Sequence, residues 1–242
     1  MEIEINGLAK LYLNNKEIGN VKNTWLSPGL DRVAALLSGN EASSAYLATL
    51  TSVVALRTDD VRETLTVESK GASANVLQIK AEKLLGGYTI SSVLLVPTYQ
   101  SWTGIDWSSL SLSPPLTVPS GWTFRVEWNS TFTGSDYTST YLNSIPSRLN
   151  AFTVNSDFAP NSISVVHSGG ESFTSVSESS WENTGGTRVA YHKGSFITGA
   201  YTSIGTIRIY RSATMYASSA ISSFNKPTDV ELHIEHRNTI TQ

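Results

Sequence analysis

Along most of the chain, apolar and polar residues alternate. Trp122, Phe124, Val126 and Trp128 take one face of a segment whose other face is Thr123, Arg125, Glu127 and Asn129. This two-residue period marks an antiparallel strand buried on one side. EIEI, AKLYL and EIGNVK, within the first 22 residues, predict a small meander in which Asn14-Asn15 turns the second strand into the third. One segment switches to a helical period. Leu30, Val33, Ala34 and Leu37 recur at i, i+3, i+4 and i+7, behind Ser27 as cap and Pro28 at the first helical position, and ahead of Gly39. This helix is expected to pack on the first β unit. YLATLTSVVAL, LTVES, NVLQIKAE, YTISSVLLV and WTFRVEWN then read as strands, with DDVRE as a turn. SVLLV is apolar throughout, as suits a central strand covered on both faces. SGGESFTSVSESSWENTGG at 168–186 reads as a long polar, turn-rich stretch.

The last strand has a twin. PSGWTFRVEWNSTFTG at 119–134 aligns without a gap on PTDVELHIEHRNTITQ at 227–242, an offset of 108. Pro119, Glu127, Thr131 and Thr133 match Pro227, Glu235, Thr239 and Thr241, while Trp122, Phe124 and Val126 fall on Val230, Leu232 and Ile234. Upstream, Glu68 matches Glu178 and VLQIK at 76–80 resembles VAYHK at 189–193. The offsets drift as small loop insertions would make them. The fold class read from this is all-β: two tandem antiparallel β-sandwich units of similar topology, preceded by a small meander and one short α-helix. The expected boundaries are 1–45 for meander and helix, 46–134 for the first sandwich, 135–147 for a linker and 148–242 for the second sandwich.

Composition narrows the functional classes. Of 242 residues, 36 are Ser and 26 Thr, and only 15% are charged. A net charge of −3 with no basic run argues against nucleic acid as a partner. There is no cysteine, hence no disulfide or thiolate chemistry. MEIEINGLAK does not read as a signal peptide, no apolar run suits a transmembrane helix, and no membrane partner is expected.

Catalytic signals are sparse. Asp59, Asp60, Glu63 and Glu68 could in principle supply the paired acids of a glycosidase, but a solvated turn balanced by Arg57 and Arg62 is the simpler reading. In HIEH, His233 and Glu235 share a face of their strand while His236 points the other way, so no metal site and no cofactor is expected. There is no G-x-S-x-G elbow, G-x-G-x-x-G or Walker sequence, and the chain is read as not an enzyme. The best binding candidate is YQSWTGIDW, where Tyr99, Trp102 and Trp107 cluster with Gln100 and Asp106. Aromatic faces beside amide and acid groups hold sugars or anchor protein partners, unless the rings simply close the end of their own sandwich.

VKNTWLSPGLDRVAALLSG resembles the opening of many tailed-bacteriophage virion proteins, where a short helix of this pattern precedes a β domain. LTVESK, YTISSVLLV and FRVEWNSTF stand where such proteins carry their later strands, and SVSESS, TSIGTIRIY and LHIEHRNTI repeat the series. The glycine-rich strand of those proteins is replaced here by LTSVVALRTDD. The resemblance implies a non-enzymatic structural protein of the virion, made in the host cytoplasm: a tail, fibre, baseplate, collar or capsid-decorating component. Its partners would be other virion proteins and further copies of itself, as a trimer or hexamer. The alternative is a carbohydrate-binding module or receptor-binding protein that takes a host glycan on the aromatic loop. For assembly, the N-terminal meander is the expected attachment point, with Ile3, Ile5, Leu11 and Leu13 as the candidate interface and its strand edges open to β-augmentation.

Overall fold

Asn14 and Asn15, at φ of 45° and 65°, close the first hairpin where the sequence places it, joining β1 (Glu2–Leu13) to β2 (Lys16–Trp25). The computed structural model describes residues 1–39, 54–58, 64–97, 106–150 and 159–242. After β2 come α1 (Ser27–Ser38), β3 (Val54–Thr58), β4 (Thr66–Ser73), β5 (Val76–Gly86), β6 (Thr89–Pro97), β7 (Ser108–Thr117) and β8 (Ser120–Thr133). The second half holds α2 (Ser139–Asn150), β9 (Ser162–His167), β10 (Gly170–Ser175), β11 (Glu178–Thr184), β12 (Thr187–Phe196), β13 (Tyr201–Arg211), β14 (Thr214–Lys226) and β15 (Leu232–Thr241).

The protein is all-β, and its two halves share one strand order. In the first, β4-β5-β8 forms one layer and β3-β6-β7 the other. In the second, β11-β12-β15 and β9-β13-β14 repeat this, with β10 added outside β9. β8 and β15, the twin strands of the sequence, thus occupy equivalent places. Val93, Leu94, Leu95 and Val96 of the central strand β6 are all buried, as a strand covered on both faces requires.

Several local expectations need correcting. EIEI and AKLYL are not separate strands of an outlying meander. They are one strand, β1, which lies at the centre of the molecule. The Asn6-Gly7 step does not break it, because the Asn23 side chain fills the space that a Cβ at Gly7 would take. β1 pairs antiparallel with β8 along Glu4–Leu13; its other edge is shared by β15, parallel at Glu2–Glu4, and β2, antiparallel from Gly7. Ser27 does not cap α1: the N-cap is Leu26, with no side-chain bond, whereas Gly39 closes the helix in the left-handed region (φ 68°). The polar stretch at 168–186 contains two strands, because Gly170, Gly185 and Gly186 supply the positive φ their turns need.

The stretch read as a linker carries α2. Thr138 caps it, its Oγ1 accepting from the Tyr141 N–H at 3.3 Å, and Tyr141, Ile145 and Leu149 bury one stripe despite Pro146. The helices are exchanged between the halves. α1 lies on β11, β12 and β15, and α2 on β4, β5 and β8. α1 cannot cover the first unit as expected, because β2 delivers it to the far side: the Trp25 N–H donates to Gln242 Oε1 at 2.7 Å. Since β1 is antiparallel to β8 and parallel to β15, the twin strands run antiparallel to each other across it. The two halves thus face each other in opposite senses across β1, and a single apolar core runs through both.

Candidate functional site

The repeat extends to side-chain chemistry. Trp25 and Tyr137 each stand two residues before a helix, just ahead of its cap, and each sends one polar hydrogen to the matching position of a twin strand. Trp25 Nε1 donates to Ser130 Oγ at 3.2 Å, and Tyr137 Oη to Asn238 Oδ1 at 2.5 Å. Ser130 and Asn238 lie 108 residues apart and both are fully buried. Burial pushes the Tyr137 hydroxyl far above its ordinary range, with Asp136 adding to the effect, so it acts only as a donor or acceptor.

On the outer face, the repeat is ionic. Lys80 sits opposite Glu127 and bonds Glu68 at 2.6 Å; Lys193 sits opposite Glu235 and bonds Glu178 at 3.1 Å. The Lys80 bond holds the Glu68 carboxyl below its usual range. Glu68, considered above as a possible acid catalyst, is thereby committed to a surface ion pair. Beside each row stands an arginine. Arg125 lies 3.7 Å from Glu127 and stacks over the Tyr12 ring at 4.1 Å, while Arg237 bonds Glu235 at 2.9 Å and also reaches Glu182.

The interior of the second half is more polar than that of the first. Arg188 bonds Asp31 of α1 at 2.7 Å, with the arginine side chain only 5% exposed. Four residues further along β12, the rings of His192 and His236 stack at 5.9 Å, His192 Nδ1 against Ser179 Oγ and His236 Nε2 against the Met1 sulfur. Desolvation lowers His192 to about 4, slightly opposed by the Leu37 backbone. Desolvation lowers His236 to about 3, helped by His192 and the terminal ammonium. Both are neutral at pH 7. The alternation expected for HIEH holds, with His233 and Glu235 outside and His236 inside. Among the described residues, no three His, Asp or Glu side chains gather as metal ligands would, and no helix is long and apolar enough to cross a membrane.

The other anticipated site residues divide into two groups. Tyr99, Gln100 and Trp102, and with them Asp59, Asp60 and Glu63, lie outside the described residues. Trp107 is core: its backbone bridges β6 and α1, accepting from Leu26 N and donating to Leu95 O, both at 2.8 Å. Gly29 packs so closely on the Trp107 carbonyl that no Cβ fits there. Ile3, Ile5 and Leu11 are buried in the chain's own core and Leu13 packs against it. They offer no free interface, because both edges of β1 are already paired.

Trp122, which the alternation placed on the buried face of its strand, is instead exposed, and it belongs to a set of exposed apolar residues that sequence reasoning passed over. Leu84 and Trp122 stand out from one end of the first unit, 65% and 41% exposed. Ile197 and Val230 stand at the same end of the second, 67% and 47% exposed. The registers make them equivalents: Lys83 faces Phe124 as Phe196 faces Leu232, and Leu84 and Ile197 come next. The 119–134/227–242 alignment already paired Trp122 with Val230. No protein-family model, curated protein or solved structure matches this chain.

Proposed function

We propose that the chain is a non-enzymatic structural component of a virus particle that acts by protein–protein assembly. The observation that carries this reading is the repeated placement of exposed apolar side chains, Leu84 with Trp122 and Ile197 with Val230, at the same end of both units. Interior positions agree between diverged copies because the fold requires them. A solvent-facing apolar residue has no such constraint, so its persistence in both copies favours a contact made twice, once by each half. The resemblance of the chain's strand series to virion proteins of tailed phages supplies the class of assembly.

Cofractionation is the direct test. The tagged chain, produced during infection, is expected to sediment with particles through a density gradient, and the double variant Trp122→Ser with Leu84→Ser to be depleted from them. A chain that stays at the top of the gradient while binding an immobilised glycan would overturn this reading in favour of the carbohydrate-binding alternative.

A further inference from the structure

In the first unit the two layers are bridged. β8 passes to β1, β1 to β2, and β2 to the start of β7, each step hydrogen-bonded. The second unit has no such bridge among the described residues. β15 takes β1 only at Thr239–Thr241, and its upstream part, Leu232–Asn238, is paired with β12 alone. Across the gap, among the described residues, the outer edge of β14 is engaged where Asp136 and Thr138 bond Ser218, Tyr216 and Met215. Between them lies a cleft of about 270 Å³ whose walls include Ile207, Ser219, Ile234 and His236.

The backbone of β15 faces this cleft ready to pair. Met1 N donates to Arg237 O, and Thr239 N donates to Met1 O, so the odd-numbered residues turn their polar groups toward β1. By the two-residue period, Glu235 and His233 turn theirs into the open edge. Their counterparts on β8, Glu127 and Arg125, meet Lys10 and Tyr12 of β1 in antiparallel register. Alternating with those, Leu11 and Ala9 face inward opposite Val126 and Trp128, the counterparts of Ile234 and His236.

We propose that this seam is the docking site for one extended strand of a different protein chain, laid antiparallel to β15. That strand carries apolar residues opposite Ile234 and His236 and a lysine or arginine opposite Glu235. Charge complementarity selects the cation. Glu127 lies between Lys10 and Lys80, whereas Glu235 has Lys193 across β12 and Arg237 on its own strand, and among the described residues no neighbouring strand sets a cation on its other side. The β1 strand of a second copy is not the donor, since it is paired along both edges. The proposal rests on the assembly reading above and names the chemistry of the partner.

A peptide of the β1 sequence NGLAKLYL tests it on the full-length chain. One peptide is expected to bind per chain and to slow hydrogen exchange at the His233 and Glu235 amides. Glu235→Lys should weaken binding at least tenfold, and a peptide with glutamate in place of its lysine should recover most of the loss. Absence of binding, protection at Glu127 and Asn129 instead, or indifference to Glu235→Lys would overturn the proposal. So would self-association of the chain that Glu235→Lys abolishes, which would make a second copy the occupant. Failure of the parent reading looks different: the peptide would bind as described while the chain stayed apart from particles.

Discussion

Acid should loosen this protein through two histidines in a window set by their burial. His192 and His236 titrate near 4 and 3 when folded, against about 6.5 in an unfolded chain. For a base with a lowered folded value, the unfolded state takes up its proton first. The stability associated with each neutral ring is therefore complete above about pH 6.5 and is lost progressively as pH falls toward the folded value. At pH 5 the unfolded state holds nearly one more proton per histidine, a loss of about 2 kcal/mol each and about 4 kcal/mol for the pair relative to pH 8. The groups that face the rings are Ser179, the Leu37 backbone, Met1 with its ammonium, and each other. Urea unfolding at pH 8, 6 and 5 would read the slope. A His192→Gln, His236→Gln variant, lower in absolute stability, should show little of it across that range. Glu68 and Glu171, whose carboxyls are held below the ordinary range, lose their contributions only as pH falls below about 4.5 and so do not mask the effect. A double variant with the wild-type slope between pH 8 and 5 would refute the assignment.

The remaining expectations concern single contacts. Asp31→Ala strands the buried Arg188 charge and should destabilise by about 3 kcal/mol in chemical denaturation, whereas the apolar double variant Asp31→Leu with Arg188→Met should recover most of that. Trp25→Phe and Tyr137→Phe each remove one buried hydrogen bond at equivalent positions, and each should cost about 1–3 kcal/mol; a neutral result at either would break the proposed equivalence. Gly29→Ala forces the first turn of α1 off the Trp107 carbonyl and should lower stability by about 2 kcal/mol or more, read by thermal unfolding. Glu68→Gln breaks only a surface pair and should leave the thermal midpoint essentially unchanged.

The duplication was legible because it is written in the register of individual strands. Where β8 alternates, β15 alternates in step, and the matched Glu127 and Glu235 face matched lysines. The Asn14-Asn15 turn and the buried run Val93–Val96 were equally plain, since each depends on neighbours in sequence. α2 was missed because only Tyr141, Ile145 and Leu149 mark its buried stripe, and Pro146 interrupts it with a residue that normally ends helices. The exchange of helices left no local trace: an apolar stripe says that a helix is covered, not by which sheet. The central position of β1 was hidden for the same reason. Its alternation fits a half-buried strand anywhere, and its partners are Thr239–Thr241 at the far end of the chain and β8 in the middle. The seam beside β15 became visible only when both halves could be compared strand by strand.

The pairing of Glu2–Glu4 with Thr239–Thr241 also fixes the order in which this molecule can come into being. A ribosome releases β1 long before β15, so the centre of the sheet stays one strand short until β15 has emerged. α1 must wait as well, since the strands on which it rests are made more than a hundred residues later. Early in synthesis the emerging chain therefore holds an uncovered apolar helix, together with a strand whose second edge is only partly filled. Contacts this distant in sequence close slowly and expose such surfaces while they wait. The nascent chain thus carries aggregation-prone surface until its distant partners emerge, and its maturation waits on the arrival of β15.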